Sequence, residues 1–299
     1  MASPSDRSKP VALVTGSEGF TGGYLVAELH RAGYDVVSLS HLPGHGRVAD
    51  LRDREAVAKV VAEVSPDVVV HLAAIAFVAH GDADAIYGTN VMGTRNLLEA
   101  LAANAKQPQS VLLASSANIY GNSEIEVLTE EAIAAPANDY AVSKLAMEYM
   151  ARLWMDRLPI ILARPFNYTG VGQSDKFLLP KIVNHFRKRE LVIELGNTHV
   201  ARDFQDVRFV VNAYRRLLET NAAAGQVVNL CSGEAHSLLS VINMLEEMAG
   251  YRIDVRVNPA FVRANDVLRL TGSNRKLESL IGALDVIPLQ STLEWMYKA

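Results

Sequence analysis

The chain has 299 residues, of which 49% are hydrophobic and 21% charged, and its net charge is −4. That length and apolar content support one large or two modest packed domains and exclude global disorder. The slightly acidic balance excludes broad nucleic-acid binding, which needs a basic face for phosphates, but leaves room for a small anion held by local arginines.

Cys231 is the only cysteine, so no internal disulfide can form and nothing points to an oxidising compartment. In "QVVNLCSG" it reads as the buried end of a strand. The opening "MASPSDRSKP" lacks the apolar segment of a signal peptide, and no apolar run is long enough to span a membrane. The expectation is a soluble cytoplasmic protein with no membrane and no nucleic-acid partner.

In chain order, apolar runs alternate with amphipathic ones. Residues 10–16 read as a strand, 21–33 as a helix, 35–40 as a strand and 53–64 as a helix. A strand over 67–74, a helix over 90–104, a strand over 110–116, a long helix over 140–157 and a strand over 158–167 follow. Strands that are apolar throughout, alternating with helices, predict a parallel sheet covered on both faces: an α/β, doubly wound, Rossmann-type fold. Beyond about residue 168 the alternation weakens. Residues 1–168 are therefore expected to form a dinucleotide-binding domain, to which a strand over 225–233 returns. Residues 169–299 are expected to form mainly a smaller C-terminal α+β substrate lobe, with a helix at 237–250.

The first strand runs into "TGSEGFTGGYL", where Gly16, Gly19 and Gly22 occupy a strand-to-helix turn. Glycine there permits a tight turn and close approach of a pyrophosphate, which the helix N-terminus then meets with N–H groups and a positive dipole end. Glu18, Phe20 and Thr21 lie within the same cofactor-facing turn. The second strand ends at Ser40-His41 with no acid to bind a ribose 2′-hydroxyl. With His41 and Arg47 following, this favours NADP over NAD, or use of both. His41 and His45 do not read as a metal pair, because Pro43 and Gly44 keep them off one helix face and no third ligand is evident. Asp50, before Leu51, is suited to cap the next helix, or to accept from an adenine amino group.

Tyr140 and Lys144 stand four apart in the predicted long helix and share a face. A free tyrosine has a pKa near ~10, and a neighbouring ammonium favours its phenolate, so the pair can move a proton while a hydride moves on a nicotinamide. Upstream, "SSANIYG" puts Ser115 and Ser116 at the end of a buried strand.

With "TGSEGFTG", "DL" at 50–51, "HLAA" at 71–74, "NVMGT" at 90–94, "SSANIYG", "YAVSK", "RPFN" at 164–167 and "RDFQDVR" at 202–208, the chain resembles the extended short-chain dehydrogenases/reductases over nearly its whole length. The resemblance implies that Ser116 hydrogen-bonds the reacting oxygen and that Tyr140 and Lys144 are the catalytic pair. It also implies that Leu72, Ala73 and Ala74 line the cofactor, that Asn90 supports the catalytic helix, and that Pro165 and Phe166 lie beside the nicotinamide. Sugar-nucleotide dehydratases of that family place acids two and three residues before the tyrosine of the "SSANIYG" segment. Here those positions hold Asn118 and Ala117, which cannot eliminate a hydroxyl.

The C-terminal half resembles the GDP-4-dehydro-6-deoxy-D-mannose reductases. That implies NADPH- or NADH-dependent reduction of the 4-ketone of a GDP-sugar, giving GDP-D-rhamnose or GDP-6-deoxy-D-talose. Asn118, Asn167, Lys181, Arg202, Arg263 and Asp266 are the implied substrate contacts, and a homodimer through the helices at 90–104 and 140–157 is the implied assembly. A nucleotide-sugar 4-epimerase and a non-catalytic dinucleotide sensor are the competing readings.

Overall fold

The computed structural model describes residues 9–76, 81–262 and 267–299. The chain forms two compact units. The first comprises the described residues up to Ile119 together with Asn138–Arg164 and Val211–Val228; the second comprises Tyr120–Ala137, Pro165–Val210 and the described part of Asn229–Ala299.

The first unit is built on strands β1 (Val11–Thr15), β2 (Asp35–Ser40), β3 (Arg47–Val48), β4 (Val68–His71), β5 (Ser110–Ala114) and β6 (Ile160–Pro165). Its helices include α1 (Phe20–Arg31), α2 (Arg54–Val64), α3 (Ala83–Tyr87), α4 (Thr94–Ala103) and α5 (Asp139–Arg152). The seven-stranded sheet has the order Val227–Leu230, β6, β5, β4, β1, β2, β3. The pairs from β6 to β3 are parallel, with Ala12 on β1 opposite Val36 on one side and Val68 on the other. Leu13, Val69, Leu113 and Leu162 of the strands are fully buried with Val57 and Val61 of α2 and Leu97 and Leu101 of α4. Strands this apolar suit a sheet covered on both faces. The sequence runs outward from β1 in both directions, so the carboxyl ends of β1 and β4 flank the switch point where such sheets bind ligands.

Several boundaries depart from the expectation, each for a local reason. The strand expected over 67–74 ends at His71, which is opposite Thr15, the last residue of β1; beyond it the Ala73 amide donates to the Thr15 side chain and not to a strand carbonyl. The helix expected over 90–104 begins as a π-helical turn, Gly88–Gly93, before α4. Gly93 is required in it, since a Cβ would lie 2.9 Å from that of Leu51. The helix expected over 140–157 stops at Arg152 and continues only as tight turns through Arg157. Asp50 does not cap α2; Asp53 does, accepting from the amides of Glu55 and Ala56.

In the second unit, Ala201–Asp206 pairs with Asn167–Thr169, Ala235–Ser237 and Arg269–Leu270, while Val192–Leu195 pairs with Asp254–Val257. Leu179, Ile182, Phe186, Ile193, Leu245 and Leu293 form its core. A simple cut at residue 168 is corrected by segment 120–137, which belongs to this unit. The Tyr120 hydroxyl donates to Asn229 Oδ1 at 2.7 Å, and the Leu128 backbone bonds those of Thr271 and Ser273. Among the described residues, no helix is long and apolar enough to cross a membrane.

Candidate active site

The site begins where β5 ends. Ser115 and Ser116 leave the strand, and residues Ala117–Tyr120 coil into a 3₁₀ turn. Within that turn the Asn118 amide donates to Ser116 Oγ at 3.2 Å, which holds the hydroxyl at the strand end. Ala117 is buried, and neither it nor Asn118 carries a carboxyl group.

Helix α5 brings the second half. Asn138 caps it, its side-chain oxygen accepting from the Ala141 amide at 2.9 Å. Tyr140, Lys144 and Glu148 follow at four-residue intervals on the buried face. The Lys144 ammonium donates to the carbonyl of Ala114 at 2.7 Å, tying the helix to the strand end two residues before Ser116. Burial brings the Lys144 pKa down to about 8, and the Glu148 carboxylate opposes that fall. A lysine so placed still carries its charge at neutral pH.

Glu148, Ser115 and Arg164 were not among the expected site residues. Glu148 Oε1 accepts from Ser115 Oγ at 2.5 Å and from Arg164 Nε at 2.9 Å, and Oε2 accepts from Arg164 Nη2 at 2.7 Å. The bidentate pair is almost wholly buried and sits directly behind the lysine. Its sequence signal was available: Glu148 continues the i, i+4 row of Tyr140 and Lys144. Arg164, from β6, opens the "RPFN" stretch, but nothing in that stretch pairs it with a carboxylate on the long helix.

A second network steadies the same helix. Asn90, in the π-helical turn, donates to Ser143 Oγ at 2.9 Å, and Ser143 donates to the Tyr140 carbonyl at 2.7 Å. Asn90 also exchanges two hydrogen bonds with the Ile75 backbone. Behind it lies a directional chain. Because Thr94 gives its proton to the Asn90 carbonyl and the His71 ring is neutral, Nδ1 is the accepting nitrogen and takes the Thr15 hydroxyl proton at 2.7 Å, while Thr15 Oγ1 accepts from the Ala73 amide. His71 Nε2 then donates to Thr94 Oγ1 at 2.8 Å, and Thr94 donates to the Asn90 carbonyl at 2.7 Å. Complete burial, aided by the Lys144 charge, lowers the His71 pKa to about 3 and keeps the ring neutral.

The glycine turn fits a dinucleotide. A Cβ on Gly22 would lie 2.2 Å from the Gly16 carbonyl oxygen, and one on Gly16 would lie 2.8 Å from the Ala73 amide nitrogen. Gly16 also has φ +71°, in the left-handed region. Glycine thus lets α1 close on the turn and lets the turn lie against Leu72 and Ala73. Gly19 precedes α1 as a cap without a side chain, so no side chain of its own takes the first helical amides, which suits a phosphate at that N-terminus.

A family model described as "NAD dependent epimerase/dehydratase family" matches residues 12–231, the stretch that carries this turn, the Ser116 strand end and helix α5. The chain belongs to that family. It is 32% identical to a GDP-6-deoxy-D-talose 4-dehydrogenase of Aggregatibacter actinomycetemcomitans, over 96% of each chain. It is 33% identical to a GDP-6-deoxy-D-mannose reductase of Pseudomonas aeruginosa, over 94% of each. A solved structure from Burkholderia cenocepacia J2315, assigned only provisionally as an epimerase, has TM-score 0.91 at 51% identity, covering 97% of both chains. The structure of RMD from Pseudomonas aeruginosa complexed with NADPH has TM-score 0.86 at 31% identity, covering 97% of this chain and 98% of that one. As a member of this family the protein is an oxidoreductase-type enzyme of Rossmann fold that uses a nicotinamide dinucleotide.

The remaining expected residues are less tightly gathered. Asp50 is taken by Arg52, whose guanidinium forks onto the carboxylate at 2.7–3.1 Å and lowers its pKa. Arg47 is exposed and faces Glu63 at 3.7 Å. Leu51 is buried under α4. In the second unit, Phe166 is buried against Tyr120, with ring centroids 6.2 Å apart. Asn167 pairs with Phe204 in the sheet. The Lys181 ammonium donates to the Glu194 carbonyl at 2.8 Å and stands 4.6 Å from the Phe261 ring centroid. Arg202 donates to the Ala201 carbonyl, whereas Asp206 is held by Arg208 at 2.7 Å. Arg263 and Asp266 lie outside the described residues. Among the described residues, no three histidine, cysteine, aspartate or glutamate side chains cluster as a metal site.

Proposed function

We propose that this enzyme reduces the 4-ketone of a nucleotide-activated 6-deoxyhexose, with GDP-4-dehydro-6-deoxy-D-mannose as substrate and GDP-D-rhamnose or GDP-6-deoxy-D-talose as product. The observation that carries the reading is the catalytic set itself. Ser116, Tyr140 and Lys144 are present and anchored, while Ala117 and Asn118 offer no acid or base. That set suits reduction and not dehydration. Two relatives at 32% and 33% identity, one a 4-dehydrogenase and one a reductase of GDP-6-deoxyhexoses, point the same way.

The bound nicotinamide, as NADH or NADPH, supplies the hydride. Ser116 donates a hydrogen bond to the C4 oxygen and fixes the carbonyl. Tyr140 gives its proton to that oxygen as negative charge develops on it. Lys144, kept charged below about pH 8, stabilises the phenolate left on Tyr140. Asn90 and Ser143 hold the Tyr140 backbone, and Glu148 with Arg164 holds the strand end beneath the lysine. Asn118, Asn167, Lys181, Arg202, Arg263 and Asp266 are the proposed substrate contacts, with the arginines suited to a diphosphate. Exposed apolar side chains on and just after α5, Val142, Tyr149 and Leu153, suit a homodimer.

A nucleotide-sugar 4-epimerase is the second reading. It is favoured by a carboxylate, Glu18, at the end of β2, the kind of group that retains NAD. The test is incubation of wild type and Tyr140→Phe with the GDP-4-keto sugar and reduced cofactor, followed by absorbance and by NMR of the sugar. Wild type should oxidise the cofactor and yield a C4 alcohol, and the variant should be at least ~10²-fold slower. An unimpaired variant would remove Tyr140 from its role, and an unreactive wild type would reject the substrate.

A further inference from the structure

We propose that Glu18 reads the adenosine ribose and makes this enzyme select NAD(H) over NADP(H). In dinucleotide folds the acid that accepts from the ribose 2′-hydroxyl stands at the end of the second strand, and a nearby arginine serves a 2′-phosphate instead. Here β2 ends at Ser40, and that serine is buried. Its hydroxyl donates to Glu18 Oε1 at 2.9 Å while its oxygen accepts from the Leu42 amide at 3.0 Å. The serine is thus a fixed support that holds a carboxylate at the strand end. The acid missing from β2 arrives from the glycine turn, one residue before Gly19.

The surrounding charges favour the same choice. The Glu18 side chain is only 20% exposed, so solvent screens it incompletely. His41 Nδ1 lies 3.9 Å from Glu18 Oε1. Arg47 faces Glu63, and Arg52 is forked onto Asp50. These three side chains, His41, Arg47 and Arg52, each already face a carboxylate. A ribose diol can donate to Glu18. A 2′-phosphate would bring further negative charge against it, with no free guanidinium of this group to receive it.

Binding of cofactor alone tests the idea, without any sugar and so independently of the proposed reaction. Dissociation constants for NADH and NADPH are measured on the full chain by nicotinamide fluorescence and calorimetry. Wild type should bind NADH at least about tenfold more tightly, equivalent to about 1.4 kcal/mol. Glu18→Gln should bring the two constants to within about threefold, mainly by tightening NADPH. Glu18→Ala is read in the same way if the glutamine variant does not fold. A wild-type preference below tenfold, or one that persists in the Glu18 variant, would overturn the assignment.

Discussion

Glu148→Gln tests how helix α5 is held. The wild-type carboxylate receives two Arg164 nitrogens at 2.9 and 2.7 Å and the Ser115 hydroxyl at 2.5 Å. Both charged side chains are at most 6% exposed, so solvent cannot replace a lost partner. Glutamine preserves shape but removes the negative charge that faces the buried Arg164 guanidinium and offsets the buried Lys144 ammonium. Removing one member of such a pair costs about 3–5 kcal/mol. Removing both, as Glu148→Leu with Arg164→Met, also removes the cost of desolvating the two charges, so the double variant should be more stable than Glu148→Gln. Urea unfolding followed by circular dichroism gives the stabilities. The same substitution withdraws the carboxylate that opposes the fall of the Lys144 pKa, so the high-pH limb of kcat/KM should move to lower pH. A loss under about 1 kcal/mol, or a double variant as unstable as the sum of its singles, would refute the reasoning.

Three further outcomes follow from the same geometry. Gly22→Ala puts a Cβ 2.2 Å from the Gly16 carbonyl oxygen, so cofactor affinity should fall at least about tenfold, measured by fluorescence titration. His71 is held neutral with its pKa near 3 against an ordinary value of 6.5, so the unfolded chain binds the extra proton as pH falls below 6.5. Stability is therefore lost on acidification: this residue alone should remove about 2 kcal/mol between pH 7 and pH 5. His71→Gln should flatten that part of the urea-midpoint profile. In the proposed mechanism a charged Lys144 stabilises the Tyr140 phenolate, so kcat should decline above about pH 8, and Lys144→Met should abolish that limb along with most activity.

The strands and the glycine turn were legible because burial on both sheet faces leaves a continuous apolar run, and because close packing of α1 on the turn admits only glycine. Tyr140 and Lys144 were legible because helical spacing puts them on one face. The π-helical turn was not, since its cause is the contact of Gly93 with Leu51 and the bonds from Asn90 to Ile75 and Ser143, all distant in sequence. Asp50 was read as a possible cap because the helix was drawn from residue 53; α2 starts at Arg54, and it is Asp53 whose carboxylate reaches the first amides. Ser40 was read as an absence of acid, favouring NADP. The carboxylate that Ser40 holds, Glu18, stands 22 residues earlier, and no strand-end pattern contains it. Within "SSANIYG", Ser116 lies just past the end of β5, where its oxygen accepts from the Asn118 amide. Ser115 supports Glu148, and the Tyr120 hydroxyl is spent on Asn229.

The direct test of a 4-ketoreductase follows the hydride itself. With GDP-4-dehydro-6-deoxy-D-mannose and NADH deuterated at nicotinamide C4 on the transferred face, the product should carry deuterium at sugar C4 and lose its H4 proton resonance, with one cofactor oxidised per sugar. Interconversion of C4 configurations of a nucleotide sugar without net oxidation of added cofactor, and with no deuterium entering the sugar, would contradict it and leave an epimerase.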